Sequence, residues 1–128
     1  MEIEKRIKFL EKELLINNLF LIFILGCLLN MGVMMANDLK MPAYFPKGDF
    51  IPPFDNSVYI PFTNFNDIKY PYLSDVFKIK ISSYTLRFSI GDILMFWSII
   101  LILIISTKYL FIYLNERRLK NGIYRING

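Results

Sequence analysis

LLINNLFLIFILGCLLNMGVMM, residues 14–35, is a run of about 22 residues without a single charged side chain. At about 1.5 Å of rise per residue it is long enough to cross a hydrocarbon core of about 30 Å. It predicts a transmembrane helix over residues 14–36. A secretory signal peptide would have a shorter apolar region closed by a small-x-small cleavage site, whereas Met34, Met35, Ala36 and Asn37 follow here, so the segment is expected to be retained. Gly26 and Asn30 are four residues apart and share a face; with Gly32 they form the expected helix-packing set.

A second run, residues 90–114, has an almost unbroken apolar core from Ile93 to Ile105, followed by Ser106, Thr107 and Lys108. Lys108 can snorkel toward headgroups, and Phe96 and Trp97 at one end with Tyr109 and Tyr113 at the other fit the two interfaces. Upstream of the first run, Ile3, Ile7, Leu10 and Leu14 recur at spacings of four and three, and Glu4 and Lys8 are placed for an i,i+4 pair, which predicts a cytoplasmic amphipathic helix over 1–13 continuous with the first span.

Lys5, Arg6, Lys8 and Lys12 precede the first span, and Arg117, Arg118, Lys120 and Arg125 follow the second. By the positive-inside rule both ends are cytoplasmic, with Lys5, Arg6, Arg117 and Arg118 as the headgroup and topology residues and 115–128 as a basic tail. The net charge of +4 and the pI near 9.2 are explained by these flanks; the basic residues do not form an aromatic-interleaved stripe of the nucleic-acid-binding kind. A hydrophobic fraction of 55% and a mean hydropathy of +0.41 exceed what a water-soluble domain of 128 residues normally carries. Histidine is absent and Cys27 is the single cysteine, so no disulfide framework and no His/Cys metal site is expected, and no cofactor.

Between the spans, residues 37–89 hold all six prolines and many aromatics, among them Tyr44, Phe45, Phe50, Phe54, Tyr59, Phe62, Phe65, Tyr70 and Tyr72. So much aromatic area argues for an ordered extracytoplasmic cap, and the prolines argue for extended and turn-rich backbone. Ser74 is placed to cap a helical turn at Asp75 to Phe77. Lys78 to Ile81 and Leu86 to Ser89 alternate as a small β-hairpin turning around Ser82 to Thr85. About 50 residues bury this area poorly by themselves, so the aromatics are expected to rest on the bilayer interface or another protein. The fold class is thus mainly α and membrane-embedded: a two-span transmembrane hairpin with an aromatic and proline-rich cap holding a short helix and a β-hairpin.

Three stretches carry a resemblance: Leu29-Asn30-Met31-Gly32-Val33-Met34-Met35-Ala36-Asn37 running on to Lys40-Met41-Pro42, then Tyr72-Leu73-Ser74-Asp75-Val76, then Phe88-Ser89-Ile90-Gly91-Asp92-Ile93-Leu94. Together they resemble a family of small bacterial multi-span membrane proteins whose function is not known. The pattern differs at Asp38, where that family tends to have glycine. The resemblance implies a bacterial inner membrane; the Ile, Asn, Lys, Phe and Tyr richness equally fits an AT-rich organellar gene product in the mitochondrial inner membrane.

No phosphate loop, nucleophile elbow or metal-ligand cluster is present. The one pair with catalytic potential is Asp38 and Asp92, at the outer ends of the two spans, where two close carboxylates could share a proton and activate water. Phe88-Ser89-Ile90-Gly91-Asp92 also resembles, loosely, the Phe-Asn-Xaa-Ala-Asp stretch of the bacterial lipoprotein signal peptidases, with Ser89 in place of asparagine. Against this, Asp92 with Ser89 reads as an ordinary helix start and Asp38 with Asn37 as a helix end. Two spans cannot enclose a pathway alone. The expected function is therefore an accessory or structural subunit of a larger membrane complex, contacting other subunits or its own copies and the lipid bilayer; the alternatives are an aspartate-dyad hydrolase and a homo-oligomeric pore.

Overall fold

The computed structural model describes residues 2–48, 58–82 and 84–126, with side chains except those of residues 2, 5, 84 and 119–126. Phe50, Phe54 and the side chains of Lys5, Lys120 and Arg125 lie outside what is described. Helix α1, Glu2–Ala36, and helix α2, Ile90–Ile126, are each on the order of 50 Å long. Both are long and apolar enough to cross a membrane. Only 17% and 11% of their most apolar stretches are buried inside the chain, unlike the core helix of a water-soluble fold. Helix α2 does not stop at Leu114: it runs on to Ile126, because no proline or glycine interrupts it before Gly122 and its basic residues favour a helix C-terminus.

The helices run antiparallel. Lys12 Nζ lies 4.8 Å from the centre of the Tyr109 ring at one end. The Cys27 thiol donates to Met95 Sδ at 3.3 Å further along, and Asn30 meets Ser89 and Asp92 at the other end. The closest approach is at Gly26 and Gly91. A Cβ on Gly26 would lie 2.6 Å from the Gly91 carbonyl oxygen, and one on Gly91 would lie 2.7 Å from the Gly26 carbonyl oxygen and overlap Asn30 Oδ1. Only glycine lets the two backbones come this near. Gly32, expected on the same face, is exposed with nothing within 4 Å of its missing Cβ. Six residues on from Gly26 amount to about 240° of helical rotation, which carries it off the seam.

Helix α1 ends in two left-handed residues, Asp38 and Leu39, with φ of 55° and 60°; the Leu39 amide returns to the Met34 carbonyl at 2.8 Å, a helix-closing bond. The chain then enters strand β1, Met41–Tyr44, the spine of the cap. Strand β2, Tyr59–Phe62, pairs parallel to it on one side, and Ala43 bridges to Asp75 on the other. Around this spine Phe45 and Phe62 are buried, and Tyr44, Phe62, Phe65 and Tyr72 form a chain of ring contacts 4.8 to 5.7 Å between centres. The cap thus buries part of its own aromatic area, while Tyr70 and Tyr72 stay largely exposed.

The helical turn expected at Asp75 to Phe77 is absent. The short 3-10 turn lies upstream, Pro71–Leu73, and Ser74 ends it, its amide donating to the Pro71 carbonyl at 3.2 Å. Asp75 is extended instead, because its amide donates to the Pro42 carbonyl at 2.9 Å and its carbonyl accepts from the Tyr44 amide at 3.0 Å. A ladder bond to a distant strand displaced the local capping preference. The hairpin is formed by β3, Phe77–Ile81, and β4, Tyr84–Phe88, antiparallel and joined at Ser82, whose φ is 54°. A single residue, Ser89, separates β4 from α2.

Candidate functional site at the junction of cap and helices

Among the described residues, four of the five buried polar ones, Asn37, Ser74, Asp75 and Ser89, gather where the helices meet the cap; the fifth, Ser98, lies further along α2 and donates to the Leu94 carbonyl. Ser89 and Asp92 form a reciprocal cap at the start of α2. The Asp92 amide donates to Ser89 Oγ at 3.0 Å, and the Ser89 amide donates to Asp92 Oδ2 at 2.9 Å, satisfying two amides that the helix leaves open. Asn30, a polar residue in an otherwise apolar stretch of α1, completes the ring: its Nδ2 donates to Asp92 Oδ1 at 2.7 Å, and its Oδ1 accepts from the Ser89 hydroxyl at 2.7 Å. The ring can close because Gly91 has no side chain to occupy the space that Asn30 takes. Both carboxylate oxygens of Asp92 therefore have donors, and the helix N-terminus adds its own favourable field.

Asn37 makes a second tie. Its Nδ2 donates to the carbonyls of Val33 and Lys69, each at 2.9 Å, and its Oδ1 accepts from the Lys69 amide at 3.1 Å. A side-chain amide here replaces a peptide group, holding the cap segment around Lys69 against the end of α1. Nothing in the local sequence announces this pairing, since its partner is 32 residues away.

Asp38 is exposed on its left-handed turn. The carboxyl that feels the charge of Asp92 is instead that of Asp75. Asp75 is buried, and its Oδ1 has no hydrogen-bond partner. Its pKa is pushed up from 3.8 to about 7, chiefly by burial, then by the negative charge of Asp92, with Arg87 pulling the other way. Arg87 itself is spread over several contacts. Its guanidinium carbon lies 3.7 Å from the centre of the Phe45 ring, and its Nη1 donates to the Tyr44 carbonyl. The outcome is an unequal acid pair: one carboxyl supplied with donors at a helix start, the other buried without enough of them and close to neutral pH in its titration. Such inequality is what lets two carboxyls divide acid and base roles.

Of the topology residues, Arg6, Arg117 and Arg118 are exposed at the end of the helix pair opposite this junction. The three stretches quoted for their resemblance, far apart in the chain, converge on the junction: Asn30 and Pro42 from the first, Asp75 from the second, Ser89 and Asp92 from the third.

Comparison with curated proteins and with solved structures finds no match. A family model does match, over residues 14–106, which takes in the whole of the first apolar run, the whole cap and about the first half of α2. That is well over half of the chain, and the protein belongs to this family of unknown function, DUF5317.

Proposed function

We propose that this protein is a small integral-membrane accessory subunit, its two helices crossing the bilayer and its cap held on the outer side against partner subunits. The observation that carries the reading is the uneven use of the helix surfaces. The α1–α2 seam is closely packed at Gly26 and Gly91, yet Phe20, Leu25 and Leu28 on α1 and Phe96, Leu103 and Ile104 on α2 remain exposed. Lipid or other spans must cover them. The basic residues at the far end of the pair support, by the positive-inside rule, a cytoplasmic N-terminus of α1 and C-terminus of α2. A bacterial inner membrane is the compartment this reading favours, with a mitochondrial inner membrane as the other setting of the same architecture. Native mass spectrometry of the gently solubilised protein tests the proposal: a stoichiometric hetero-complex is expected, a monomer overturns it, and a ring-sized homomer points to a pore.

A second reading has its own observation, the orphaned Oδ1 of buried Asp75, a carboxyl that feels the charge of Asp92. On this reading the junction is a hydrolytic acid pair of Asp75 and Asp92, rather than Asp38 with Asp92. A statine-type peptidomimetic, whose hydroxyl mimics the attacking water, should then raise the melting temperature at pH 5.5, and Asp92→Asn and Asp75→Asn should each abolish the shift. No shift in the unaltered protein rejects the reading.

A further inference from the structure

The β3–β4 hairpin has two chemically different faces. Pairing of Phe77 with Phe88, Lys78 with Arg87, Ile79 with Leu86 and Lys80 with Thr85 sets Phe77, Ile79, Ile81, Leu86 and Phe88 on one side. Lys78, Lys80, Thr85 and Arg87 occupy the other. Arg87 reaches from the polar side to the Tyr44 carbonyl and lies over the Phe45 ring, so that side is turned toward the cap. The apolar side is turned away from it, leaving Phe77, Ile79, Ile81 and Leu86 between 40% and 56% exposed. A two-stranded hairpin is marginal in water unless its apolar face is covered, and the described residues supply no cover.

What covers it follows from where the hairpin is attached. Ser89 alone joins β4 to α2, and Ser89 is fully buried, tied to Asn30 and Asp92. The root of the hairpin, where Phe77 stacks on Phe88 at 5.8 Å, therefore has no slack with which to leave the level of the helix start. With α2 read as a spanning helix, on which this inference rests, that level is the bilayer surface, which the exposed apolar side of the hairpin can reach.

We propose that the β3–β4 hairpin is a membrane-surface element whose apolar face, Phe77, Ile79, Ile81 and Leu86, beds in the interfacial layer of the outer leaflet while Lys78 and Lys80 stay on the aqueous side. The arrangement is the strand counterpart of an amphipathic interfacial helix, with basic side chains opposite an apolar face. It also gives the cap a fixed height, since the hairpin rests on lipid and Arg87 ties its other face to Tyr44 and Phe45 of the cap.

Spin labels placed singly at Ile79, Ile81, Leu86, Lys80 and Thr85, in the full chain with Cys27→Ala, test this in vesicles of phosphatidylethanolamine and phosphatidylglycerol. Leu103, exposed near the middle of the apolar span of α2, serves as the control position. Expected is an alternation, with oxygen the stronger relaxant at 79, 81, 86 and 103 and a water-soluble nickel chelate the stronger at 80 and 85. Nickel accessibility at 79, 81 and 86 with oxygen accessibility at 103 overturns the proposal and leaves α2 in the bilayer. Protection from both relaxants at 79, 81 and 86 also overturns it, by showing that protein covers the face. Nickel accessibility at 103 removes the spanning reading and the proposal together.

Discussion

Asp92 and Asp75 stand within electrostatic reach of each other at the junction, in opposite circumstances. Asp92 opens a helix, accepts from Asn30 Nδ2 and the Ser89 amide, and has both oxygens occupied. Asp75 sits at the edge of the cap ladder with both its amide and its carbonyl bonded to β1, yet one side-chain oxygen is buried and unpartnered. The difference lies in what local structure supplies. A helix N-terminus presents free amides to any nearby carboxylate. A strand edge spends its amides on the neighbouring strand, so a carboxyl buried there must find donors elsewhere or hold its proton. The junction therefore combines a rigid, satisfied half with a half whose charge depends on pH.

The strongest way to break the comparison is to remove the close approach that supports the satisfied half. Gly91→Ala introduces a Cβ that overlaps Asn30 Oδ1 and crowds the Gly26 carbonyl. Loss of about 3 kcal/mol or more is expected, since the neighbours are backbone and a bonded side chain. Thermal unfolding in a fixed detergent should show a large drop in melting temperature, and a drop no larger than that of Gly32→Ala would mean that the seam is not as described.

The next test sharpens the other half. Asp75 holds its proton more tightly folded than unfolded, because its pKa rises from 3.8 to about 7. Its contribution to stability is complete below 3.8 and is lost as pH rises through about 7, an effect on the order of a few kcal/mol. Relative to the unaltered protein, Asp75→Asn should therefore gain stability between pH 5 and pH 8. A stability difference that does not vary with pH would place the titration elsewhere.

Coupling between the halves is expected to be smaller. Asp92→Asn removes the second cause of the Asp75 shift and leaves burial, the first, so the carboxyl titration of Asp75 followed by carbon-13 NMR should move down without reaching its ordinary value. Arg87→Met should move it the opposite way, and should cost about 1 kcal/mol through the lost stacking on Phe45. If neither variant moves the Asp75 titration, the two carboxyls are independent.

Much of the frame was legible in the residues. Uncharged apolar length marked both helices, Ser89 three residues before Asp92 marked the start of α2, and strict alternation marked the hairpin, because each of these signals is local in the chain. The features that came out otherwise turned on direction in space or on partners elsewhere in the chain. Ser74 has the chemistry of a helix start, but the Pro42 carbonyl captured the Asp75 amide. Gly32 resembled Gly26 until rotation about the helix axis separated them. Asp38 and Asp92 shared a predicted depth, but depth says nothing about direction, and the left-handed turn after Asn37 leaves Asp38 exposed.

Composition and periodicity by themselves determined two apolar helices, their basic far ends and an aromatic-rich segment between them, since these follow from side-chain chemistry at short range. Only the tertiary structure decided that Asn30 closes a ring with Ser89 and Asp92, that Asn37 holds Lys69, and that Asp75 is the carboxyl within electrostatic reach of Asp92. Each of those choices depends on which backbone groups a strand or helix from elsewhere in the chain has already claimed.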